Sequence, residues 1–370
     1  MHPARRTWPR AAAVTAAAAG LALTAAAAAP VAGTLTASAH DPAFPRTVAR
    51  PAVAGHQLVR AVGSPLSVEE CRTKWKIACY TPPQYREAYD LDPLYEAGIT
   101  GKGRTIVIVD SFGSPTVQHD LDVYSRQFGI PGTKVQVVKW GNVPKWDPKK
   151  ADMLGWAGET TLDVEMAHAV APDAKIVLVE TAVGETEGAI GLPEMMDAEK
   201  ALIDRGIGDV ITQSFGATEN TFPGFDRGDF SAIGKLRYAF EAAARNHVTV
   251  LASSGDGGAW LYSSYDPAAT GWDVSGGTSE AGPLFAGIVA LADQAAGKRL
   301  GDIHEALYRL YGRSAYDRST GIVDVNDGTN NGYQGVTGYT AVNGYDMATG
   351  VGTLDAARFV PALAREGRRG

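Results

Sequence analysis

The sequence predicts an α/β domain built on a parallel sheet with helices on both faces. Five short apolar runs carry the first part of that expectation: Thr105–Val109, Val135–Val138, Lys175–Val179, Val210–Thr212 and Val248–Ala252. Apart from Gln136 in the second, they are continuous rather than alternating, as in strands buried on both sides. Helical segments separate them, at Leu162–Val170, Glu194–Asp204 and Ser231–Arg245. Strands and helices taken in turn give a parallel sheet. Ligands bind such sheets outside the carboxyl ends of the strands, so the informative residues are expected just after each run.

The amino terminus reads as an export signal over residues 1–39. Arg5, Arg6 and Arg10 form a basic start, and an alanine-rich apolar stretch runs from Ala11 to Ala29. Ala37-Ser38-Ala39 fits the small-residue rule for cleavage before His40. A membrane anchor is the other reading, but alanine is only weakly apolar. Residues 40–79 lack periodicity and hold Pro42, Pro45, Pro51 and Pro65, which suggests an N-terminal extension or short pro-segment. The main domain is expected over residues 80–364, followed by a tail at 365–370.

Composition is that of a globular protein, with 45% hydrophobic and 20% charged residues. The net charge of -7 speaks against general nucleic-acid binding, which needs a basic face. The chain carries two cysteines, Cys71 and Cys79. Export would permit a disulfide between them, and two cysteines alone are too few for a zinc site.

Three motifs fall where the strand pattern places functional groups. Gly276-Gly277-Thr278-Ser279 leads into an apolar helix from Leu284 to Gln294. A serine there has free helix N–H groups beside it, which favour developing negative charge; a plain N-cap serine is the simpler reading. Glu159 and Asp163 stand four apart in a helix that opens near Gly158, so both carboxylates share a face. Two close carboxyls hold a proton between them and can take one from a serine; a solvated acidic helix start is the simpler reading. Ser253-Ser254-Gly255-Asp256 ends the fifth run, and a protonated Asp256 could donate to an oxyanion. Otherwise Asp256 is an ordinary turn residue.

Taken in order, these pieces resemble the sedolisin, or serine-carboxyl peptidase, family, which shares the subtilisin fold. The family pattern is Glu-x-x-x-Asp, then Ser-Gly-Asp, then Gly-Thr-Ser-x-x-x-Pro. This chain has Glu159 and Asp163, then Asp256, then Ser279 with Pro283. The resemblance implies Ser279 as nucleophile, Glu159 as general base, Asp163 as its partner and Asp256 as the oxyanion acid. Ser214-Phe215-Gly216 resembles the segment that pairs with the substrate backbone. Val323–Gly328 and Gly344–Gly350 resemble the family's calcium site, which implies the side chains of Asp324 and Asp346 with the carbonyls of Val325, Val342 and Gly344. Calcium favours such hard oxygen donors.

The resemblance therefore implies a secreted endopeptidase, monomeric, binding Ca2+, and cleaving protein or peptide substrates at acidic pH. No nucleic acid and no stable membrane association is expected. The chain departs from the family in two places. It carries no large pro-domain segment before residue 80. Asp256 also lies only 23 residues before Ser279, where the family has a stretch several times longer. Loss of core strands there would expose apolar faces and sheet edges. A non-enzymatic binding protein on the same scaffold is one alternative, and a calcium-dependent adhesion or carbohydrate-binding module would explain the C-terminal aspartates alone. Another is a Ser-His-Asp subtilase using Asp110, His168 and Ser279, whose chain order fits that class. His168 stands about 140° round the helix from Asp163 by 3.6-residue geometry, which disfavours it.

Overall fold

Apolar β-branched runs become strands here wherever both faces can be covered. The computed structural model describes residues 57–185, 188–217, 219–253, 259–275, 277–330 and 338–367. The chain enters as β1 (Gln57–Val62), then α1 (Val68–Trp75), α2 (Pro82–Ala88) and α3 (Asp92–Glu96). Ser67 and Glu70 form a reciprocal capping box at the start of α1. The expected Cys71–Cys79 disulfide is formed and both cysteines are fully buried.

The alternating core follows. It comprises β2 (Thr105–Ser111), α4 (Val117–Phe128), β3 (Val135–Trp140), α5 (Ala151–Val170), β4 (Lys175–Thr181), α6 (Leu192–Asp204) and β5 (Val210–Gln213). Next come α7 (Ser231–Gly234), α8 (Arg237–Arg245), β6 (Thr249–Ala252), β7 (Ala259–Ser263), β8 (Gly271–Ser275) and α9 (Thr278–Ala296). The chain closes with α10 (His304–Ser314), β9 (Ile322–Val323), β10 (Thr353–Leu354) and α11 (Ala356–Glu366).

Five strands make one parallel sheet in the order β3-β4-β2-β5-β6. All five sequence runs are in it. Ile106, Ile108, Ile176 and Leu178 face one way, onto a core shared with α4, α5, α9 and α11. Val107, Val109, Val177 and Val179 face the other way, onto α6 and α8. The central strands β2, β4 and β5 are buried on both faces over nearly their whole length, as their apolar runs require, whereas the edge strand β3 leaves Gln136 and Val137 exposed.

Three helical segments differ from the sequence reading: the expected Ser231–Arg245 helix is split into α7 and α8, and α5 and α9 both start early. α5 begins at Ala151, so Glu159 lies about two turns and Asp163 about three turns inside it rather than at its start. From Thr160 to Val170 every residue of α5 is buried, because the helix runs between the sheet and α9. Gly287 of α9 sits where a side-chain carbon would come within 2.8 Å of Val170. α9 likewise starts earlier than the apolar run, at Thr278, so Ser279 belongs to its first turn.

The shortened stretch before Ser279 is organised as a second sheet. β1, β8 and β7 form three antiparallel strands in that order. β1 therefore covers the β8 edge, which would otherwise be open to pairing with another chain. Tyr262 and Trp272 pack edge to face, and Trp272 does the same with Phe128 of α4. Two buried acids tether this sheet to the helices: Glu165 accepts from the Tyr262 backbone N–H at 3.0 Å, and Asp120 accepts from the Ser264 N–H at 3.2 Å. Among the described residues no helix is long and apolar enough to cross a membrane.

Candidate active site

The carboxyl ends of the central strands converge on the buried part of α5. Asp110 ends β2 on the α5 side of the sheet and is fully buried. Its register partner on β4 is Glu180, whose partner on β3 is Lys139. On the other side of β2, β5 runs out into Ser214-Phe215-Gly216.

Asp163 lies at the centre of this region and has no exposed surface. The Ser214 hydroxyl donates to its Oδ1 at 2.8 Å, and its Oδ2 has no hydrogen-bond partner. Burial pushes the Asp163 carboxyl well above the usual range; the charges of Asp110 and Glu159 push the same way, and the Ser214 hydrogen bond opposes them. Asp110 is raised to about 7, mainly by burial, with the Thr160 hydroxyl beside it opposing and Glu180 adding to the rise. Glu159 is half-buried, one helical turn before Asp163. Glu159, Asp163 and Asp110 thus form one electrostatically coupled group of carboxyls. Such a group gives up its protons in steps that belong to the set rather than to any one member.

Ser279 occupies the first turn of α9, half-buried, after the N-cap residue Gly277. Two contacts fix that turn over the ends of β5 and β6. The Ser253 hydroxyl donates to the Thr278 carbonyl at 2.7 Å. A side-chain carbon on Gly282 would lie 3.3 Å from the Thr212 hydroxyl, two residues before the serine that holds Asp163. The next residue, Glu280, is buried and accepts a short hydrogen bond from the Tyr85 hydroxyl of α2. Asp256 lies outside the described residues.

The five calcium candidates lie in one cluster of loops. Asp324 accepts from the Gly344 N–H at 3.0 Å, and Asp346 accepts from the Val342 N–H at 2.9 Å. The Thr349 hydroxyl reaches the Val325 carbonyl at 3.5 Å. Hydrogen bonds from the Val342, Thr349 and Ala348 N–H groups hold the Asp346 carboxyl below its usual range, so it is ionised. Among the described residues no three His, Cys, Asp or Glu side chains stand close enough to hold a metal together. A cation here would depend on two carboxylates supplemented by backbone carbonyls, a donor set that suits calcium.

His168 is fully buried at the far end of α5 from Glu159, with Nε2 2.8 Å from the Pro131 carbonyl. Burial lowers its pKa to about 4. Nine residues of helix separate it from Glu159, a rise of roughly 13 Å. It is a packed core histidine, remote from the strand ends where Asp110 lies, so the Asp110–His168–Ser279 reading is removed. Asp110 itself was visible in the sequence only as part of that reading. The signal for its actual place is its position, the first charged residue at the end of a wholly apolar central strand.

A parallel sheet in this order, with acids gathered at its carboxyl ends and a serine at a facing helix start, defines a subtilisin-like α/β protein. No protein-family model matches the chain. Kumamolisin of Bacillus sp. strain MN-32 is 25% identical over 77% of this chain and 63% of its own length. Xanthomonalisin of Xanthomonas sp. strain T-22 is 42% identical over 84 residues, 22% of this chain and 9% of that protein. The chain therefore spans less than two thirds of the curated relatives it matches. Among solved structures, Pseudomonas sedolisin, a serine-carboxyl proteinase, superposes with a TM-score of 0.57 at 20% identity, covering 78% of this chain and 99% of that one. These matches support the sedolisin family and the subtilisin-like fold, and bear out the resemblance read from the motifs.

Proposed function

We propose that the protein is a serine-carboxyl endopeptidase that hydrolyses peptide bonds at acidic pH through an acyl-enzyme on Ser279. The observation that carries this is one coupled set of three carboxyls: Asp163 and Asp110, both fully buried and raised above the usual carboxyl range mainly by burial, beside the half-buried Glu159 of α5. Glu159 takes the hydroxyl proton as Ser279 attacks the carbonyl, and returns it to the leaving amine. Asp163, oriented by Ser214, stabilises the charge that passes through Glu159. The first-turn N–H groups of α9 favour the developing oxyanion, and Asp256 is its proposed acid donor. Ser214, Phe215 and Gly216 pair with the substrate backbone.

The working protein is an exported monomer with protein or peptide substrates. Asp324, Asp346 and the carbonyls of Val325, Val342 and Gly344 would hold a calcium ion, which would supply a cross-link between their loops. The test is digestion of denatured protein across pH ~3 to ~8, a range that separates carboxyl from imidazole bases. Cleavage that is strongest at the acidic end and lost in Ser279→Ala and Glu159→Gln supports the reading. Full activity in Glu159→Gln rejects it. No cleavage by the native chain at any pH favours a binding protein on this scaffold.

A further inference from the structure

An open cleft lies beside the carboxyl ends of β2, β3 and β4. Phe112, Pro144, Trp146 and Met153 are among its apolar walls, and Lys139 and Glu180 supply its polar part. Lys139 Nζ lies 3.7 Å from a Glu180 carboxylate oxygen. The two charges offset each other, so the cleft has no net charge to draw in an ion. Its walls also make burial of an unpaired charge costly.

Two paths connect the cleft to the candidate site. Asp110, Glu180 and Lys139 lie side by side on adjacent strands, so the cleft floor begins one strand spacing, ~4.8 Å, from Asp110. At the rim, Trp146 packs edge to face on Tyr265 with ring centres 6.4 Å apart. The Tyr265 hydroxyl in turn lies 3.0 Å from where a side-chain carbon on Gly158 would be, next to Glu159. An extended peptide advances ~3.3 Å per residue, so a chain laid along these elements carries successive side chains from the carboxyls to the cleft.

The Phe112 wall is held in an unusual way. Its φ is 61°, in the left-handed region that a bulky residue seldom adopts. Its N–H donates to the Thr181 carbonyl at 2.9 Å, and the next N–H, of Gly113, donates to Ser111 at 2.6 Å. The turn lays the ring against Gly184, where a side-chain carbon would come within 3.1 Å of it. Backbone strain of this kind persists where the surroundings fix it and is concentrated at ligand sites.

We propose that this cleft is a substrate subsite taking one large apolar or aromatic side chain at a fixed position near the cleaved bond. The proposal rests on the peptidase reading, and its test separates the two. In one arm, denatured protein is digested with the full chain and the fragments are sequenced. Large apolar residues are expected at one fixed position relative to the cut. Trp146→Ala should reduce that enrichment about tenfold, within the range for removing part of an apolar pocket. Trp146 is half-buried, and an unchanged melting temperature checks that the variant folds.

In the second arm, the Ser279→Ala chain is titrated with labelled alanine decapeptides with and without a central phenylalanine, read by fluorescence anisotropy. The phenylalanine peptide should bind about tenfold tighter, and adding Trp146→Ala should erase the difference. Cleavage without positional enrichment, or enrichment untouched by Trp146→Ala, overturns the subsite and leaves the peptidase standing. Phenylalanine-dependent binding that needs Trp146, without cleavage, does the reverse. Equal binding of the two peptides overturns the subsite.

Discussion

The Ser214 hydroxyl donates to Asp163 Oδ1 at 2.8 Å, which joins the end of β5 to the most deeply buried acid of α5. That bond favours the ionised form of Asp163 against the burial and neighbouring charges that oppose it. Ser214→Ala should therefore raise the apparent pKa seen in the pH profile of cleavage, whereas Ser214→Thr, which keeps the hydroxyl, should largely restore it. An unmoved profile in the alanine variant would detach Ser214 from the proton chemistry.

Glu159 and Ser279 should be indispensable while His168 should not. Glu159→Gln and Ser279→Ala are each expected to reduce cleavage by a factor of at least about 100, at the low end for acid–base and nucleophile losses. His168→Ala should keep most turnover per folded molecule. It should also cost about 1–3 kcal/mol of stability, because it empties a buried site and leaves the Pro131 carbonyl without that partner. Urea titration beside the activity assay separates the two effects.

The Tyr85–Glu280 contact pins the residue after Ser279 to the N-terminal helices. Tyr85→Phe would leave Glu280 buried without that donor, at a cost of about 1–3 kcal/mol. Denaturant midpoints of the two chains check this directly.

Stability should fall from acid toward neutral pH. Asp110, Glu280 and Asp293 are raised to about 7 and Glu199 to about 8, in each case chiefly by burial. A carboxyl whose folded pKa is raised binds more protons folded than unfolded. Its contribution is fully present below the unfolded value near ~4 and is lost as pH rises through the folded one. His168 acts in the opposite sense: its pKa is lowered to about 4, so its contribution is lost as pH falls from ~6.5 toward that value. Four groups outweigh one, and the melting temperature should be higher at about pH 5 than at about pH 8. A higher value at pH 8 would contradict the burial of these acids.

Calcium removal gives a further check. Chelation should lower the melting temperature of the native chain, and the shift should shrink in an Asp324→Asn, Asp346→Asn double variant, since binding to the folded state alone stabilises it by mass action. Equal melting with calcium and with chelator would remove the proposed ion.

Strand positions were legible because burial on both faces demands an unbroken apolar run, and that is a local pattern. Thr105–Val109 and Lys175–Val179 needed no partner to be recognised, and the family resemblance placed Ser214 just after the fourth run. The extent of α5 was not legible. Gly155 and Gly158 are poor helix formers and stand in its first turns, so they read as a boundary rather than as helix interior. The antiparallel sheet of β1, β7 and β8 was hidden for a different reason. Its strands come from distant parts of the chain and are held by Asp120, Glu165 and an aromatic cluster that no short window contains.

The sequence by itself determined the parallel sheet, the order of the Glu-x-x-x-Asp and Gly-Thr-Ser motifs, and the candidate acids and serine. These are written in spacing along the chain. Only the tertiary structure decided which carboxyls share protons, that His168 is a core residue, and that the N-terminal extension supplies a strand to the β8 edge. Proton affinity and edge pairing depend on burial and on neighbours far away in sequence, and both exist only after the chain has folded.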